Sequence, residues 1–187
     1  MIAETPIDYR FSVEQYQRLG ETGILPEEER LELIEGRLIQ MAPMGSWHAY
    51  VLERLNESLV LALTGRAVVR VQSPLVLGSL SAPEPDIALL RPPASRYRDS
   101  LPGPVDALLL IEVSDTTAHY DHNTKLPLYA RHGIPEVWVV ERDPRRVVVC
   151  RDPNADEGGY QNVRTVSAGK LAPGAFPEVA VDLDSLL

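Results

Sequence analysis

A chain of 187 residues, 44% hydrophobic and 24% charged, has the make-up of a globular protein, and its length suits one domain spanning residues 1–187. The formal net charge of −9 opposes indiscriminate binding to phosphate backbones, although a local basic groove can persist within it. The lone cysteine, Cys150, excludes an internal disulfide and a thiolate zinc cluster; no leader pattern opens "MIAETPIDYRF" and no apolar run approaches the roughly 18–20 residues of a membrane span, so a cytoplasmic location is expected.

In "FSVEQYQRLG", Ser12 and Gln15 form a capping box for a short helix that Gly20 is suited to end. "ERLELIEGRLIQM" reads as a hairpin turning at Glu35-Gly36. Between Ser46 and Leu63 the apolar residues Val51, Leu52, Leu55, Leu59, Ala62 and Leu63 recur at three and four, the pattern of an amphipathic helix packed on a sheet. Strands are expected at "AVVRVQ", "PLVL", "DIALL" and "ALLLIEV", each bounded by Pro, Gly or Ser. A second helix is expected over about 123–132, closed by Gly133 and Pro135, with Pro127 in its early turns. "EVWVVE" and "RRVVVC" flank Arg142 to Arg145 as a β-hairpin, and "YQNVRTV" adds a strand. The pattern is that of a mixed α/β or α+β domain with one main sheet flanked by helices and additional β-hairpins.

Glu112 is the one charge in the apolar run Ala107 to Val113. Leaving a carboxylate unpaired there costs on the order of several kcal/mol, so a cation, a donor set or a metal must meet it. Asp86 opens "DIALL", and Lys125 follows Glu112 by thirteen residues at the start of the second helix. If the two strands are neighbours, the carboxylates of Asp86 and Glu112 approach each other and a divalent cation suits the gap. Oxygen ligands without thiolate or clustered imidazole favour Mg²⁺ or Mn²⁺, which keeps several waters. One such water can serve as nucleophile, with the Lys125 ammonium stabilising developing charge, as in metal-assisted phosphodiester hydrolysis.

"PEPDIALL" and "LLLIEVSDTTAHYDHNTKLPLYARHGIPEVWVVE" resemble the Uma-two family of restriction-endonuclease-like proteins, and the resemblance extends to "LELIEGRLIQMAPMGSWHAYVLERL", "VRVQSPLVL" and "APGAFPEVAVDL". The family is similar to the PD-(D/E)xK nucleases, whose shared core is a mixed four-stranded sheet flanked by helices. The resemblance implies Asp86 and Glu112 as metal ligands, with the Val113 carbonyl as a third. The superfamily's lysine, two residues after the acid, is replaced here by Ser114; the family's lysine on the following helix corresponds to Lys125. Asp121 and Tyr129 also match and stand four residues either side of Lys125, where they are expected to hold its ammonium. Glu32 matches the upstream acid and is chosen over Glu35. His48 agrees with the family near the start of the long helix, and Gln72 and Glu84 are candidates for the rim.

Each residue also has a plainer reading. Asp86 can merely start a strand, Glu112 and Lys125 can form a structural salt bridge, and Lys125 can pair with Asp121 on a solvated face. Glu32 and Glu35 read as solvated hairpin charges, His119 and His122 as surface residues, and Trp138 and Tyr129 as core aromatics. Ser114 lacks the elbow of a serine hydrolase. Two functions remain: a Mg²⁺- or Mn²⁺-dependent endonuclease acting on DNA, with Asp86, Glu112, Lys125 and Glu32 in its site, or a binding or scaffolding protein that retains the fold without turnover. A nuclease is expected to line the approach to Asp86 with cations such as Arg66, Arg70, Arg91 or Arg131. A homodimer would cut both strands with two symmetric sites.

Overall fold

The protein is described by a computed structural model over residues 8–25 and 29–187; residues 1–7, the greater part of "MIAETPIDYRF", lie outside the described residues. Helix α1 (Val13–Glu21) begins with the expected capping box, Ser12 Oγ accepting from Gln15 N and Gln15 Oε1 accepting from Ser12 N. It runs one residue past Gly20, and the left-handed position after it is taken by Gly23. Strands β1 (Leu31–Ile34) and β2 (Arg37–Gln40) pair antiparallel about Glu35 and Gly36, both at positive φ, the backbone a two-residue hairpin needs.

Helix α2 (Ser46–Leu63) matches its expected span and buries Val51, Leu52, Leu55, Leu59 and Leu63. Each leucine fully removed from water contributes about 1.5–3 kcal/mol, so this stripe fixes the helix on the sheet. That sheet has six strands in the order β3 (Val68–Val71), β4 (Ile87–Leu90), β5 (Ala107–Ser114), β6 (Glu136–Glu141), β7 (Arg146–Asn154), β8 (Gly159–Val166). Only β5 and β6 run parallel; the remaining neighbours are antiparallel. The parallel pair needs a crossover, and the helical segment between Ala118 and Arg131 supplies it.

Alternation along β5 separates two cores. Leu109, Ile111 and Val113 face α2, whereas Leu110 faces Leu128, Tyr129 and Ile134 of the crossover side. Glu112 shares the parity of Leu110, so its carboxylate emerges beneath the crossover helix. Beyond β8, β9 (Lys170–Leu171) and β10 (Val181–Asp182) form a small antiparallel pair that adds Leu171 and Val181 to the α2 core.

Two sequence expectations are corrected. "PLVL" is not a strand: Gln72 turns the chain at φ 45, and Leu75, Val76 and Leu77 donate their N–H groups to Pro83, Pro102 and Ser81 rather than to a ladder. Its leucines are buried all the same, which explains why the pattern reads as a strand. The second helix starts earlier than expected, as α3 (Ala118–Tyr120), a π-helical turn (Asp121–Lys125) and α4 (Leu126–Arg131). Pro127 lacks the N–H an α-helix would use there, and the widened turn just ahead of it accommodates that loss.

Candidate active site

Pairing places Ile87 against Ile111, so continuing the antiparallel register sets Asp86 across from Glu112. The two acids therefore belong to neighbouring strand ends in the middle of the sheet. Asp86 Oδ2 accepts from the Val113 N–H at 2.8 Å, while Oδ1 receives His48 Nε2 at 2.9 Å and Gln72 Nε2 at 3.0 Å. Burial opposes ionisation of Asp86, but the His48, Gln72 and Val113 contacts outweigh it and hold the carboxyl below its ordinary value.

The Val113 N–H points towards β4, so its carbonyl faces the same side. The residue that would meet it in the ladder is Pro85, which has no N–H to give. The proline before Asp86 thus leaves a backbone oxygen of β5 beside the two carboxylates.

Lys125 is delivered by the π-helical turn and is 1% exposed; its Nζ donates to Glu32 Oε1 at 2.9 Å and Glu112 Oε2 at 3.1 Å. Burial disfavours its charge, but Glu112, Glu32 and Asp121 together raise its proton affinity above the ordinary lysine value. The carboxylates around Lys125 thus favour its ammonium form. Glu112, 3% exposed, is pushed well above the usual carboxyl range, first by burial and then by Asp121, Asp86 and Glu32, against the opposing pull of Lys125. Two buried carboxylates share one ammonium.

Glu32 is fully buried, which corrects its reading as a solvated hairpin charge: β1 carries it under Lys125, and its Oε1 also accepts the Glu84 N–H at 2.9 Å. Glu35 instead occupies the hairpin turn and pairs with Arg131 in solvent. The solvated pairing of Lys125 with Asp121 is likewise corrected, since both are buried. Neither side chain expected to grip the ammonium touches it. Tyr129 donates to Glu112 Oε1 at 2.5 Å, and Asp121 Oδ2 accepts from Ser114 Oγ at 2.6 Å and Thr117 Oγ1 at 2.7 Å. A π-turn changes the angular spacing that an α-helical four-residue offset assumes, so Asp121 is turned to the end of β5. Ser114, at the superfamily's lysine position, is what anchors it; nothing in the sequence signals that partnership.

His48, Asp86, Glu112, Val113, Asp121 and Lys125 all line one cavity of about 190 Å³, together with Glu84 and Arg30. Glu32 and Tyr129 stand behind its wall. Gly45 forms another part of the wall: a Cβ there would come within 2.9 Å of Asp115 Oδ2 and displace that carboxylate. Gln72, named as a rim candidate, reaches Asp86 because its left-handed backbone ends β3. His122 pairs with Glu141 at 2.6 Å away from the cavity wall, and Trp138 lies in the α2 core as expected.

Two carboxylates that line one cavity together with Val113, the residue whose strand-end carbonyl faces Pro85, fit a hard divalent cation. Among the described residues no three His, Cys, Asp or Glu side chains converge on one point, so such an ion would complete its shell with water.

A mixed sheet with its acids gathered at adjacent ends of β4 and β5 is a restriction-endonuclease-like fold, and comparison agrees. A crystal structure described as a putative nuclease belonging to DUF820 from Anabaena variabilis ATCC 29413 superposes with a TM-score of 0.71, at 18% identity, over 97% of each chain. The chain belongs to the Uma2 family, described as "putative restriction endonuclease", whose sequence model matches residues 13–184. No curated protein matches it.

Proposed function

We propose that the protein is a Mg²⁺- or Mn²⁺-dependent endonuclease that hydrolyses DNA phosphodiesters. The observation that carries this reading is the convergence of Asp86, Glu112 and Lys125 on one cavity wall, beside a strand-end carbonyl that Pro85 leaves unpaired. Asp86, Glu112 and the Val113 carbonyl would hold the ion. When bound, a divalent ion lowers the pKa of coordinated water and offsets charge on a phosphoryl oxygen.

The protein's own residues do the rest. Asp86 is kept ionised by three donors, and His48 and Gln72 fix its orientation. Lys125 remains protonated and offers charge to the transition state, while Glu32 holds its ammonium in register. Tyr129 orients Glu112, and Asp121, tied to Ser114 and Thr117, steadies the turn that carries Lys125. A cytoplasmic homodimer with two symmetric sites suits double-strand cleavage.

The scaffold reading has one observation of its own in support. None of the four arginines expected at the approach to Asp86 lines the cavity: Arg66 pairs with Glu178, Arg70 lies over the Tyr97 ring, Arg91 donates to the Val105 carbonyl, and Arg131 pairs with Glu35. Cleavage of supercoiled and single-stranded DNA with Mg²⁺ or Mn²⁺ separates the two. Activity in the native chain that vanishes in Asp86→Ala and Lys125→Ala supports the nuclease; activity unchanged in both variants defeats the mechanism, and no cleavage by the native chain favours the scaffold.

A further inference from the structure

With the expected arginines engaged elsewhere, the cavity wall contains two permanently charged cations, Arg30 and Lys125. Lys125 is buried and tied to Glu32 and Glu112, so it cannot follow a strand out of the cavity. Arg30 differs in each respect: it is half-buried, stands at the entrance to β1, and enters no salt bridge among the described residues.

Its position is also topological. The cavity shares Arg30 and Glu84 with a groove of about 330 Å³ that runs along α1 past Gln17 and Gly20. It shares Arg30, Met41 and Pro43 with a second groove on the other side of the hairpin. Arg30 is common to the cavity and to both grooves that adjoin it. The other charges there are acidic, Glu29 in both grooves and Glu84 in the first, so without Arg30 they would repel a phosphate chain.

We propose that Arg30 is the phosphodiester-binding group of this site, gripping the non-bridging oxygens of the phosphate next to the one presented at Asp86 and Glu112, with Glu84 as its electrostatic counterweight. Guanidinium suits the task because its planar fork meets two phosphate oxygens at once. Glu84 lines both the cavity and the α1 groove together with Arg30. The inference rests on the nuclease reading for its substrate class, but the contact itself requires no turnover.

The test is fluorescence anisotropy of a short single-stranded DNA oligonucleotide, measured with Ca²⁺ and with EDTA over a salt series, on the intact chain. Arg30→Gln is expected to weaken binding about tenfold, the scale of one charge-assisted contact, and to flatten the salt slope by roughly 0.7. Arg30→Lys should recover part of the loss, since a point charge replaces a fork. Glu84→Gln should shift affinity the opposite way, which a folding defect would not do. Arg70→Gln, whose parent side chain lies over Tyr97, should bind as the native chain does. Arg30→Gln binding within about twofold of native, with an unchanged slope, overturns the proposal, as does absence of any binding by the native chain. Binding that depends on Arg30 without cleavage would uphold the contact and discard the nuclease reading instead.

Discussion

Tyr129 Oη lies 2.5 Å from Glu112 Oε1 while Lys125 Nζ takes the other oxygen, Oε2, at 3.1 Å. Each oxygen of this buried acid thus has its own donor, one neutral and one charged. Removing the neutral donor by Tyr129→Phe leaves the fold's packing nearly intact but strands half the carboxylate. Destabilisation of about 1–3 kcal/mol is expected, read by urea unfolding with an unchanged m-value.

Lys125 matters differently, because it faces two buried carboxylates. Lys125→Met leaves both Glu32 and Glu112 without their cation, and breaking a buried pair in this way costs about 3–5 kcal/mol. Adding Glu32→Gln to that variant should recover part of the loss, since one stranded charge disappears. Thermal unfolding of the single and double variants checks it; strictly additive losses would show that the three groups do not act as a unit.

Glu112→Gln carries the reverse sign. Glu112 has its folded-state proton affinity raised above the ordinary value of 4.5, so its contribution to stability is present below 4.5 and is lost as pH rises towards the folded pKa. The glutamine variant loses nothing over that range. It should match the native chain in acid and exceed it in stability at neutral pH, while binding metal less well. A native chain more stable than Glu112→Gln at neutral pH, without metal, would contradict this account of the buried charge.

Asp86 behaves as the opposite case. Its folded-state affinity for a proton is lowered, so the stability it provides is present above the ordinary 3.8 and is lost as pH falls through the folded pKa. Asp86→Asn should therefore be less stable than native at neutral pH, with the gap closing in strong acid. The same variant tests the ion: Mn²⁺ at about 100 times its dissociation constant should stabilise the native chain by roughly 2.7 kcal/mol and leave Asp86→Asn nearly unmoved. Because Glu112 must shed its proton to ligate, the metal's effect should strengthen as pH rises.

Local chemistry was enough to read much of this fold. The Ser12–Gln15 box, the Glu35-Gly36 turn and the apolar stripe of α2 depend on residues within a few positions of one another, and each took the form its sequence implies. So did the chemistry of the cluster: a lone carboxylate in "ALLLIEV" requires partners wherever the strand ends up. The identity of those partners was decided by tertiary structure. Glu32 and Lys125 are 93 positions apart and meet because β1 and the crossover helix cover the same sheet end. "PLVL" satisfied its backbone on distant carbonyls, and the π-turn before Pro127 redirected Asp121 to Ser114. Alternation shows which residues want burial, but the direction in which a long charged side chain such as Lys125 reaches is set by the charges and steric boundaries of elements far away in the chain.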